Sequence, residues 1–179
     1  VLGYWKQKQV EFAHNNPTTL LHNFLYFLQK TMLTTTPESL TARASIALHA
    51  DRARIWDALT NPDRIREYMF GAETTCDWQL GSPISFKGEW EGKPYEDKGV
   101  IMAVEPLRHV QYSYWSNLSG TPDTPENHAL VSYTIEDKSD GTHTLTITQS
   151  NCPTPEQQEK SEQNWLYLLE QIKTQLEKA

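Results

Sequence analysis

The acids and histidines of this chain show few spacings that make a reaction. Glu89 and Glu91, and Glu96 and Asp97, form two acid pairs beside a hairpin signal. Two carboxylates facing one pocket can divide general-acid and general-base work between them. At the ends of exposed strands the same residues keep an edge soluble, and that is the preferred reading; the alternative is that Glu89 or Glu96 reaches over a cavity mouth. His49, His109, His128 and His143 are scattered, with no HxH or HxxxH spacing, so a metal site is not expected. His109 has the opposite strand parity to Tyr112 and is predicted on the outer, solvated face. Tyr112 and Tyr114 can polarise a ligand carbonyl, but a phenol of pKa about 10 is a poor base at neutral pH. No glycine-rich phosphate loop is present, which removes the usual nucleotide site. No residue is assigned a catalytic role, no cofactor is implied, and the domain is read as non-enzymatic.

Cys76 and Cys152 lie far apart without a CxxC or CxxH partner. They are expected to pack as small apolar groups in a reducing, cytoplasmic setting, with their pairing left open. Arg52, Arg54, Arg64 and Arg66 are matched by Asp51, Asp57, Asp63 and Glu67, which reads as a solvated ion-pair face; a partner-docking face is the alternative. A formal charge of −7 and a pI near 5.3 argue against a nucleic-acid partner. The longest apolar run, residues 20–28, is interrupted by His22 and Asn23, so neither a membrane span nor a signal peptide is expected.

The elements that must position these residues follow from periodicity. Residues 1–39 differ from the rest and are read as an N-terminal extension. Leu21, Phe24, Leu25, Leu28 and Met32 stripe one face of an amphipathic helix over 19–32, followed by a Thr-Pro linker. The compact domain is expected to begin near Met32, with the preceding segment read as an upstream translated region; a docking helix covering an apolar groove is the alternative. From residue 40 onward, Leu40, Ala42, Ala44, Ile46 and Leu48 alternate as a half-buried strand. Asp51 opens a short helix with Ile55, Trp56 and Leu59 on its apolar face, Trp56 being read as core. Asn61-Pro62 caps and starts a second helix. Strands are predicted over 74–78, 84–90, 95–104, 108–115, 129–137 and 142–149, and Gly99 is read as a strand-start residue. Glu91-Gly92-Lys93 and Ser139-Asp140-Gly141 are tight hairpin signals that make neighbours antiparallel, and residues 116–127 form an irregular loop. Thr154-Pro155-Glu156 starts a long helix whose stripe is Trp165, Leu168, Leu169, Ile172 and Leu176.

This order, a strand, two short helices, about six further antiparallel strands and a long final helix, is the helix-grip plan. Ile55-Trp56-Asp57-Ala58-Leu59-Thr60-Asn61-Pro62 resembles the signature after the first strand in the activators of the heat shock protein 90 ATPase, within the SRPBCC (START-like) superfamily. Gly99-Val100-Ile101-Met102-Ala103-Val104-Glu105-Pro106 resembles that family's glycine-led strand and acid-proline turn, and Tyr112-Ser113-Tyr114-Trp115 its aromatic strand. Asn164-Trp165 with Leu168, Leu169 and Lys173 resembles its final helix, although many relatives have Gly where Asn164 stands. The resemblance covers residues 40–179 and implies an α+β helix-grip fold, with a curved sheet of six or seven strands wrapped around the C-terminal helix.

Relatives of this type cup an apolar cavity between sheet and helix. Strand parity here gives inward rows of Ile84, Phe86 and Trp90; Val110, Tyr112 and Tyr114; Val131, Tyr133 and Ile135; and Leu145 and Ile147. The expected ligand site is therefore Phe86, Trp90, Tyr112, Tyr114, Tyr133, Trp165 and Leu169, taking a small hydrophobic or amphipathic molecule; the same side chains could simply fill the core. Trp90 and Trp115 lie near strand ends and are placed at a mouth or an interface. The resemblance also implies two alternatives, a chaperone-cofactor or stress-response interaction domain and a polyketide cyclase-like enzyme. The founding activators carry a further N-terminal domain that residues 1–39 cannot replace. Self-association as a homodimer is the ordinary prior for a soluble protein.

Overall fold

A computed structural model describes residues 40–90 and 92–178; the expectations placed on residues 1–39 and on Glu91 lie outside them. The alternation of small and aliphatic residues in β1 (Leu40–Leu48) puts Ala42, Ala44 and Leu48 inward and buries them. Asp51 then accepts the Arg54 N–H and starts α1 (Arg52–Thr60). Asn61 ends that helix and caps the next, accepting the Asp63 N–H in front of Pro62 at the head of α2 (Pro62–Tyr68). One residue thus serves two helices: its N–H closes α1 on the Asp57 carbonyl, and its side-chain oxygen satisfies a free N–H in the first turn of α2, where proline has none to satisfy. Ile55, Leu59 and Ile65 are buried on the inward faces of the pair, whereas Trp56 is half-buried and packs against the core from its margin.

The remaining strands are β2 (Glu73–Cys76), β3 (Pro83–Trp90), β4 (Lys93–Glu105), β5 (His109–Ser116), β6 (Ala129–Asp137) and β7 (His143–Cys152). They form one seven-stranded sheet in the order β1-β7-β6-β5-β4-β3-β2, antiparallel at every pair. A short 3₁₀ turn, Pro125–Asn127, lies in the β5–β6 loop. Several boundaries shift by a residue or more from the periodic pattern, β7 running on to Cys152, and two departures have a local cause. β2 stops at Cys76 because Trp78 takes a left-handed φ of 55° and its N–H turns back to Cys76 Sγ at 3.2 Å. Gly99 lies in the middle of β4 and does not start the strand: a Cβ there would meet the Ser113 carbonyl oxygen at 1.5 Å, so glycine permits the close approach of β4 to β5. A register shift between Ile101 and Ala103 follows directly after it.

α3 (Pro155–Glu177) begins at Thr154, whose hydroxyl accepts the Gln157 N–H. It packs chiefly along β1 and more lightly on β7, α1 and α2. Leu168, Leu169, Ile172 and Leu176 fill the space over the sheet, each fully buried side chain contributing about 1.5–3 kcal/mol relative to exposure. The helix therefore grips the β1 side of the inner face, and on the β3–β5 side Tyr95, Asp97 and Tyr114 stay half-buried.

Candidate ligand site

Four aromatic rings cross the inner face from β3 to α3. Phe86 lies 6.1 Å from Tyr112, Tyr112 stacks on Tyr133 at 6.0 Å, and Tyr133 meets Trp165 edge-on at 6.3 Å. The register makes this row: Tyr112 pairs with Val131 and Tyr133 with Val110, so the two tyrosines are diagonal neighbours on adjacent strands. Their hydroxyls hydrogen-bond to each other at 3.3 Å within the buried interior. Trp165 is half-buried and donates its indole N–H to Gln149 Oε1 at 2.8 Å.

The seven residues expected to line a site thus separate. Phe86, Tyr112, Tyr133 and Leu169 are buried in the core cluster, while Tyr114 and Trp165 are half-buried at its edge. Trp90 is 52% exposed and stands apart from the row. It packs edge-on against Phe70 at 5.7 Å, and Phe70 in turn stacks on Tyr167 of α3 at 6.0 Å. This trio joins the β3 end, the turn after α2 and the long helix at the surface. Trp115 is half-buried and holds Thr121 O through its indole N–H.

A residue outside the expected set stands at the open end. Asp97 pairs across the strands with buried Phe86 on one side and with Ser116 on the other. It is half-buried, and Tyr114 donates its hydroxyl to Asp97 Oδ2 at 3.1 Å. Burial raises the Asp97 carboxyl above its ordinary value, against the opposing pull of hydrogen bonds from Ser116 and Tyr114. Tyr114 is raised in turn, first by burial and then by the Asp97 charge. Tyr95, one inward position before Asp97, is also raised by burial and then by Asp97, and its ring lies over Gly88, where a Cβ would come within 2.8 Å of it. Deeper in, burial and Tyr133 raise Tyr112, and burial moves Tyr133 up to about 12. Counting back by twos from buried Ile101 reaches Gly99, Asp97 and Tyr95, a parity signal that places Asp97 inward; its position beside a hairpin made the solvated reading more natural. Of the other acids named, Glu96 pairs with Lys87 at 3.3 Å, and Glu89 is exposed.

The remaining charged groups serve elsewhere. His109 lies on the outer face and bonds Thr134 Oγ1 at 3.1 Å through Nδ1. Both line an open polar cleft of about 720 Å³, whose Arg52 is held by Asp137 and by the Leu107 carbonyl. His128 bonds Asp123 at 2.8 Å and His143 bonds Asp137 at 3.1 Å. Arg64 bridges Asp57 and Glu67, while Arg54 holds the Leu176 carbonyl and so ties α1 to α3. Cys76 and Cys152 are free thiols, and burial raises that of Cys76. Among the described residues, no group of three or more His, Cys, Asp or Glu could hold a metal ion, and no helix is long and apolar enough to cross a membrane.

The family described as Activator of Hsp90 ATPase homolog 1-like protein matches this sequence over residues 49–177. The chain belongs to that family. A solved relative, ChR145 from Cytophaga hutchinsonii, is 43% identical with a TM-score of 0.68, over 77% of this chain and 94% of that one. The Aha1 dimer from Colwellia psychrerythraea is 18% identical with a TM-score of 0.60, over 77% and 96% of the two chains. CalU16 from Micromonospora echinospora is 17% identical with a TM-score of 0.59, over 78% and 85%. The last two share the fold. No curated protein matches the sequence. With the sheet order and the gripping helix, these relatives make the activator-like domain a helix-grip fold of the SRPBCC type.

Proposed function

We propose that this domain binds a small amphipathic molecule at the open end of its inner face. The observation that carries the reading is the half-buried Asp97–Tyr114 pair at the margin of the aromatic row. Concave binding sites combine apolar walls with a few convergent polar groups that fix orientation, and this end of the cup offers Phe86, Tyr95 and Tyr114 around one carboxylate. Phe86, Tyr112 and Tyr133 form the floor, and Trp165 and Leu169 form the side made by α3. Binding without turnover is favoured because the tyrosines next to Asp97 are raised away from neutrality and make poor proton shuttles. A reducing cytoplasmic setting suits the free thiols of Cys76 and Cys152. Native mass spectrometry of the full chain purified from cells, followed by NMR titration with 2-naphthylmethanol, tests the reading. A retained small-molecule adduct, or naphthylmethanol shifts centred on residues 95–97, 114 and 165, is expected. A clean apo mass together with an unresponsive spectrum would overturn it.

A second reading, a protein-interaction domain of the Hsp90-cofactor kind, draws on the exposed trio of Phe70, Trp90 and Tyr167, which are 63%, 52% and 50% exposed. Exposed aromatic clusters are the material of interface hot spots. Pull-down with the chaperone and its ATP hydrolysis rate, with and without the Phe70→Ser, Tyr167→Ser variant, decide this reading.

A further inference from the structure

We propose that Asp97 anchors a cationic group, so that the ligand is an amphipathic ammonium compound with its charged nitrogen between the Asp97 carboxylate and the rings of Phe86, Tyr95 and Tyr114. The inference rests on the binding reading above and adds the chemical class of the ligand. Among the described residues no Lys, Arg or His forms an ion pair with Asp97. Neighbouring cations are engaged away from it: Lys98 is held by Asp123 at 2.6 Å and sits over the Trp115 ring at 5.3 Å, and Lys87 is paired with Glu96. The strand register turns these lysines to the opposite face, since Lys87 and Lys98 alternate with the inward Phe86 and Asp97.

What remains on the inner side is a half-buried carboxylate whose hydrogen-bonding side-chain partners are neutral hydroxyls, Tyr114 and Ser116. A carboxylate withdrawn from water is ordinarily offset by a cation or takes up a proton, and a bound ammonium group would supply the cation that no ion pair among the described residues gives Asp97. Phe86 pairs across from Asp97, Tyr95 stands two residues before it and Tyr114 donates to it, and aromatic rings attract an ammonium group and disfavour an anion. A net charge of −7 draws cations towards the domain and repels anionic analogues. An amphipathic amine satisfies both halves of the site, with its apolar body against the aromatic row and its nitrogen at Asp97.

The experiment uses three probes of one shape, 2-naphthylmethylammonium, 2-naphthylmethanol and 2-naphthoate, titrated into the full chain near neutral pH and followed by NMR. The ammonium probe is expected to bind at least about tenfold tighter than the alcohol, the gain of a charge-assisted hydrogen bond, and naphthoate weakest. Asp97→Asn should lower ammonium affinity at least about tenfold and abolish the preference for ammonium over alcohol, while a dispersed NMR spectrum shows that the variant is folded. Equal binding of ammonium and alcohol, or a preference that survives Asp97→Asn, overturns the ammonium inference and leaves the binding reading standing. Failure of all three probes overturns the ammonium inference and, together with a clean apo mass, the binding reading as well.

Discussion

Replacing either Tyr112 or Tyr133 by Phe removes one half of a buried pair. Each hydroxyl bonds the other at 3.3 Å, and the two side chains are only 3% and 8% exposed. Among the described residues neither hydroxyl has another hydrogen-bond partner. A single substitution therefore loses the bond and leaves a polar atom stranded, at a cost of about 1–3 kcal/mol. The double substitution removes both polar atoms and leaves an apolar contact between the two stacked rings, so its cost should fall well short of the sum. Equilibrium urea unfolding of the native protein, both single variants and the double variant gives the coupling energy, expected to be about 1 kcal/mol or more. For a chain of this length each kcal/mol corresponds to about 2–4 °C in Tm, so melting curves provide an independent check. Single variants that cost nothing, or costs that add to within about 0.5 kcal/mol, would refute the reasoning. Either result would mean that water or a bound molecule already reaches the hydroxyls, and the middle of the row would then belong to a wet site and not to the core.

Two further predictions follow from close contacts and burial. Gly99→Ala places a methyl group against a backbone atom of β5, which cannot rotate away, so a loss of about 1–3 kcal/mol or more is expected by thermal or urea unfolding; stability within about 0.5 kcal/mol of the native protein would contradict the close approach. For Asp97, burial disfavours the charged form, so the folded carboxyl titrates above the unfolded value of 3.8. Its stabilising contribution is complete below that unfolded value and is lost as pH rises through the raised folded value. The melting temperature of Asp97→Asn, minus that of the native protein, should therefore rise as pH increases from about 4 towards neutrality. The lowered carboxyls of Asp123, Asp137 and Asp140 are common to both proteins and cancel, and a difference that is flat with pH would refute the burial argument.

The element order was legible because its signals are local. The two-residue alternation of Leu40 to Leu48, the Asn61-Pro62 junction and the Thr154-Pro155 start each act within a turn or a pleat, and each stands where the residues predict. Parity also placed Phe86, Tyr112 and Tyr133 on one face, and His109 on the other. By itself, then, the sequence determined the strands, the helix starts and the inward rows. Tertiary structure alone decided which members of those rows are sealed and which stay accessible. α3 lies mainly on β1, so Tyr112 and Leu169 are covered while Tyr114 and Asp97 remain half-open. Trp90 shares parity with Phe86 but ends beside Phe70 and Tyr167, residues from two distant segments that no local period connects. Gly99 reads as a strand start in one dimension and becomes a contact point between strands in three. The physical reason is the same in each case: a side chain's face follows from its own backbone, whereas its burial, and with it the proton affinity of Asp97, depends on what another element lays across it.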